Sequence, residues 1–127
     1  MAIPPSEARR QRGNAAEDLA AEYLKVRGLQ VLARNVCFRC GELDLVCLDG
    51  DVLVVVEVRQ RGRTDFGGAL ASVTWRKQRK IIRATRCVLR IKAEWRDYRV
   101  RFDVIGMQGP PDGGHQFVWI KDAFRAA

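Results

Sequence analysis

Histidine is almost absent from this chain of 127 residues: His115 stands alone, in a Gly/Pro-rich stretch far from other ligand-type residues. Of the four cysteines only Cys37 and Cys40 form a CxxC, while Cys47 and Cys87 stand apart, so the paired motifs of a four-ligand zinc site are missing. That CxxC does not open a helix after a strand, which leaves a thioredoxin-like redox site unsupported. The cysteines read instead as small buried or half-buried side chains. Long apolar runs are missing too. The densest, Val52 to Val56, ends at Glu57, well short of the roughly 20 apolar residues of a membrane span. Residues 1–12 lack the apolar centre of a secretory signal. These absences speak against a helical membrane protein and against export, and the expectation is a cytoplasmic protein with no membrane partner.

Acidic residues are scarce in one region only. Between residues 59 and 101 there are fourteen Lys/Arg against three acids, a net of +11, whereas the rest of the chain sums to −3 within a total of +8. Positive charge spread evenly would serve solubility. One basic lobe beside an acidic remainder points to a polyanion partner.

The length suits one domain with a real core, and there is no repeat, low-complexity segment or interdomain linker. Residues 1–12, with Pro4, Pro5 and three arginines, read as a flexible basic arm, and 13–127 as a single domain. From Asn14 the apolar residues Ala16, Leu19, Ala20, Tyr23 and Leu24 recur at helical spacing, and Gly28 ends the helix. Leu29–Asn35 reads as a first strand. Glu42–Leu48 and Val52–Arg59 follow as a hairpin across Asp49-Gly50-Asp51, the second strand being apolar on both faces like a strand covered on both sides. Residues 60–73 read as a glycine-containing loop.

A second helix is predicted from Thr74 to about Lys92. Gln78, Ile81, Ile82, Thr85, Val88 and Leu89 share one side of it, and Arg76, Arg79, Lys80, Arg83, Arg86 and Arg90 the other. A basic stripe is often just a solvated face. This one has no interleaved acid to pair with, so its charges repel unless an anion lies near, which favours phosphate contact. Strands at Arg99–Met107 and Phe117–Lys121 complete the order α-β-β-β-α-β-(β). The fold class is α/β, a mixed sheet flanked by helices, in which the second helix allows a right-handed parallel crossover.

Two acids sit where acids are costly. Glu57 lies inside the most apolar strand, and Asp44 lies between Leu43 and Leu45 on its hairpin partner. If register places both on one face, they form a two-carboxylate pocket at the sheet's edge, within reach of one hard cation, Mg²⁺ or Mn²⁺. Arg59, two residues beyond Glu57, points to the same face. A carboxylate pair with a cation beside it suits phosphodiester hydrolysis.

The segments GNAAEDLAAEYL (13–24), RNVCFRCGELDLV (34–46), VVVEVRQR (54–61), SVTWRKQRK (72–80), RFDVI (101–105) and DAF (122–124) occur in that order. Together they resemble the YraN family of small bacterial proteins, which are similar in fold to archaeal Holliday-junction resolvases and to the PD-(D/E)xK nuclease superfamily. The resemblance implies a resolvase-like fold in which Glu17, Asp44 and Glu57 take the acidic, metal-binding positions and Arg59 that of the superfamily lysine. It further implies that Lys77 and Gln78 face the phosphate. Arginine at 59 keeps an electrostatic role but not a proton-transfer one. The expected function is a Mg²⁺- or Mn²⁺-dependent endonuclease acting on DNA rather than RNA, including branched or structured DNA. Arg61, Arg76, Lys77, Gln78, Arg79, Lys80, Arg83 and Arg86 are its expected nucleic-acid contacts. Resolvases of this fold work as dimers, so the resemblance allows a homodimer. The alternative is a catalytically inactive nucleic-acid-binding module, its acids salt-bridged to Arg59 and Arg61. On the sequence alone Glu17 also reads as an exposed acid of an amphipathic helix.

Overall fold

The computed structural model describes residues 5–39, 41–61, 68–109 and 114–126, and the side chains of residues 5–14, 38 and 61 lie outside that description. Its centre is a five-stranded sheet in the order β1-β2-β3-β4-β5, built from Gln30–Phe38, Gly41–Asp49, Val52–Arg61, Arg99–Gln108 and Gln116–Phe124. β3 is the middle strand. It pairs antiparallel with β2 across the expected hairpin and parallel with β4, the crossover running through the helix between them. β5 folds back antiparallel on β4. The α/β class, the mixed sheet and the element order are therefore as the sequence implied.

Two layers of helix cover the sheet. α1 (Pro5–Val26) lies on one face, where Ala20, Ala21 and Leu24 pack on Leu45, Cys47, Val54, Val56 and Ile105. α3 (Trp75–Ile91) lies on the other, where Ile81, Ile82 and Val88 pack on Leu43, Val46, Leu53, Val55, Phe102 and Val104. Alternate residues of β3 thus enter opposite cores, which is why that strand is apolar on both faces. α1 starts at Pro5, not near Asn14, so residues 5–12 of the expected arm are helical; residues 1–4 lie outside the description.

α3 matches its predicted span closely because capping and periodicity agree. Thr74 is its N-cap, with Oγ1 accepting from the Lys77 amide at 3.2 Å. The expected loop at 60–73 is only partly a loop: α2 (Gly68–Ser72) occupies its end, and residues 62–67 lie outside the description. A five-residue helix leaves too little periodicity to read. It sits against β4 at Gly106, where a Cβ would fall 2.5 Å from that of Ala69. Glycine at 106 therefore sets how closely α2, and with it Ser72, approaches the sheet.

Asp103 on β4 is fully buried and fully satisfied. Arg101 donates to it from Nε and Nη2 at 2.9 and 3.0 Å, Trp119 Nε1 at 3.0 Å and the Asp122 amide at 2.9 Å. Arg101 also reaches Asp49 at 3.0 Å, so one buried carboxylate ties β4 to β5 and to the β2–β3 hairpin. Among the cysteines, Cys47 is buried and Cys37 exposed. Cys87 is disulfide-bonded, which the reading of all four as plain side chains missed. Cys40 lies outside the description. Among the described residues, no helix is long and apolar enough to cross a membrane.

Candidate metal and nucleic-acid site

The last paired residues of the β2–β3 hairpin are Leu45 and Val56. Just beyond them the strands part, and Asp44 and Glu57 occupy the gap. The two acids are thus mid-strand, where the pairing between two inner strands stops, and not at a lateral edge of the sheet. The Val58 amide donates to Asp44 Oδ2 at 2.9 Å, so the carboxylate takes a backbone donor that the hairpin ladder leaves unused. Continuing the register beyond Leu45 and Val56 sets Asp44 opposite Glu57, near enough for the Asp44 carboxylate to raise Glu57.

Glu17 arrives from α1. Its position on the inward side of that helix leaves it 6 % exposed, not on the solvent face. The nearby Asp44 carboxylate raises its titration, and its Oε2 is buried with no hydrogen-bond partner among the described residues. Glu17 and Glu57, from α1 and β3, thus both lie near Asp44 on β2. The three do not make a shared metal site: among the described residues no group of three His, Cys, Asp or Glu side chains could hold a metal ion.

Positive charge reaches this cluster from the α2–α3 side. Arg59 Nη1 lies 3.7 Å from Glu57 Oε1, and its Nε donates to Ser72 Oγ at 2.9 Å. Lys77 Nζ lies 3.6 Å from the same Glu57 oxygen. Lys77 thus stands beside the acid, its side chain still partly exposed. The Gln78 side-chain amide donates to the Val73 carbonyl at 3.1 Å. Ser72, which anchors Arg59, was not singled out from the sequence. A serine in an unrecognised helix carries no signal until the helix is placed.

These cations do not balance the acids. Burial, then the Asp44 carboxylate, push Glu57 up to about 8, against the pull of Lys77 and Arg59. Burial and Asp44 likewise push Glu17 up to about 7, with Arg34 opposing. Asp44 is raised by burial and held back chiefly by the Val58 amide. At neutral pH the cluster retains protons that ordinary carboxyls would have lost.

The basic stripe lies on the exposed side of α3. Arg76, Lys80, Arg83 and Arg86 are exposed, and none makes an ion pair among the described residues. Arg79 is half-buried, with Nη1 3.4 Å from the Ala126 carbonyl oxygen. The side chain of Arg61, at the end of β3, lies outside the description.

A family model described as "Uncharacterised protein family UPF0102" matches residues 16–107, which include all three acids, Arg59 and the whole of α3. The chain belongs to the UPF0102 (YraN) family. A UPF0102 protein of Pseudomonas putida KT2440 is 49% identical over 112 residues, covering 88% of this chain and 90% of its own. Relatives in Pseudomonas entomophila and Pseudomonas syringae pv. syringae are 47% and 43% identical over 112 and 116 residues, covering 91% and 94% of their own length. In this UPF0102 chain the matched segment spans both the acidic cluster within β2 and β3 and the basic helix α3, whose Lys77 reaches it.

Proposed function

We propose that this UPF0102 protein is a divalent-metal-dependent endonuclease acting on DNA, with its reaction centre at Asp44 and Glu57. The observation that carries the reading is a buried Glu57 set beside a half-buried Asp44 where the pairing of β2 with β3 stops, with Arg59 and Lys77 at its rim. A fold does not ordinarily keep such a pair unless something completes it. Mg²⁺ fits the need, because it is held by one or two carboxylates together with substrate phosphate and water, without an all-protein cage. Asp44 and Glu57 would hold it, and Glu17, whose buried Oε2 has no hydrogen-bond partner among the described residues, would orient Asp44.

When bound, such an ion polarises the scissile phosphate and lowers the pKa of a coordinated water. The chain's own residues do the rest. Arg59, fixed by Ser72, presents a guanidinium that is always charged and can stabilise the extra negative charge of the transition state, although it cannot take up a proton. Lys77 sits at the same oxygen of Glu57 and is positioned to move to a phosphate once that oxygen is engaged. The exposed arginines of α3 supply phosphate contacts that carry no sequence preference.

The reading as an inactive binding module has one observation in its favour: Glu57 already has two cationic neighbours, at 3.6 and 3.7 Å. The deciding experiment is a cleavage screen over duplex, single-stranded, flap and four-way-junction DNA with Mg²⁺ or Mn²⁺. Metal-dependent cleavage of at least one substrate supports the nuclease. Salt-sensitive binding without cleavage of any of them supports the module.

A further inference from the structure

Trp75 is the first residue of α3 and is 74% exposed, whereas Trp95 is 8% exposed and buried in the core. A large indole left in water at a helix start contributes nothing to packing. Its surroundings are specific. Three residues earlier Ser72 holds Arg59, and two residues later Lys77 touches Glu57, so the turn that displays Trp75 is the one that faces the acidic cluster. Trp75 is also in helical phase with Arg79 and Arg86, and the Arg79 guanidinium lies over the indole at 5.8 Å from its centroid. Thr74, exposed and fixed as the N-cap, holds the chain so that the indole projects from a rigid helix start.

An aromatic face flanked by arginines and joined to a phosphodiester site has the chemistry to stack a nucleobase. Stacking needs a base whose face is free. The bases of intact duplex are covered by their neighbours, while those of a single strand, flap or branch are not. We propose that Trp75 stacks an unpaired base next to the Asp44–Glu57 cluster, so that the substrate class is nucleic acid with a single-stranded segment at that point. This rests on the nucleic-acid reading above and adds to it the kind of structure selected.

The test uses the full chain in the absence of divalent ions, with wild type, Trp75→Ala and Trp75→Phe titrated against labelled oligo(dT), an abasic oligonucleotide of equal length, and a blunt duplex. Wild type should bind oligo(dT) about 10-fold more tightly than the abasic strand. Trp75→Ala should abolish that difference while leaving affinity for the abasic strand and the duplex unchanged, and Trp75→Phe should keep most of it. Thermal unfolding of Trp75→Ala should match wild type, since the side chain is exposed. Equal affinity of wild type for oligo(dT) and the abasic strand would overturn the stacking role while leaving the nucleic-acid reading intact. So would a uniform loss in Trp75→Ala across all three probes. Failure of wild type to bind any of the three would overturn both.

Discussion

Replacing Glu57 by glutamine should make the protein more stable at alkaline pH and leave it unchanged at acid pH. In the folded chain Glu57 ionises at about 8 against an ordinary 4.5, because it is buried and faces Asp44. A raised carboxyl favours the fold while protonated. Its contribution is therefore fully present below about pH 4.5 and is lost as pH rises through about 8. At about 1.4 kcal/mol for each pH unit, the ceiling on that loss is on the order of 5 kcal/mol. A proton shared with Asp44 relieves part of it, which leaves roughly 2–4 kcal/mol. Glutamine resembles the protonated acid: its amide N–H donates to Asp44 and its carbonyl accepts from Lys77. Thermal unfolding of wild type and Glu57→Gln between pH 5 and pH 9, without divalent ions, reads the difference directly. The curves should coincide near pH 5, and the variant should melt roughly 5–15 °C higher near pH 8.5. A difference that does not change with pH, or a variant less stable than wild type at pH 8.5, would show that Glu57 is ionised and well paired in the fold.

Two further outcomes follow from the placement of the cations. Arg59→Lys should keep much of any cleavage activity, whereas Arg59→Ala should lose about 10²–10³ in rate, as expected for removal of one transition-state donor. Its melting temperature should fall little, because Lys77 remains beside Glu57; a large fall with cleavage intact would make Arg59 a structural counter-ion. Replacing Arg79, Arg83 and Arg86 together should weaken binding to all DNA sequences alike and reduce the slope of log affinity against log salt by about 3. An unchanged isotherm would place the partner on another surface.

Much of the framework was legible because local chemistry and tertiary packing agree. Thr74 as a cap and the period of Ile81, Ile82, Thr85 and Val88 fixed α3 almost to the residue, and the Asp49-Gly50-Asp51 turn fixed the hairpin that unites Asp44 and Glu57. What escaped depends on neighbours distant in sequence. Glu17 looks like any helical acid until α1 is laid across the sheet and its carboxyl meets Asp44. Lys77 and Gln78 sit at a helix start where either solvent or protein can claim them. Here Glu57 claims one and the Val73 carbonyl the other. α2 was too short to show a period, so Ser72 and its hold on Arg59 were invisible. Asp103, in the RFDVI segment, carries no mark of the four hydrogen bonds that bury it. The start of α1 at Pro5 likewise went unread, because the apolar helical period begins only at Ala16.

The central claim is that a divalent cation binds at Asp44 and Glu57 and displaces the proton that burial leaves on Glu57. Titrating Mn²⁺ into metal-free protein near pH 7, with calorimetry in two buffers of different ionisation enthalpy, measures binding and proton release together. Wild type should bind Mn²⁺ with net release of protons, Asp44→Asn should bind far more weakly, and Glu57→Gln should lose both binding and proton release. Absence of Mn²⁺ binding by wild type, or binding that survives unchanged in both variants, would contradict the account.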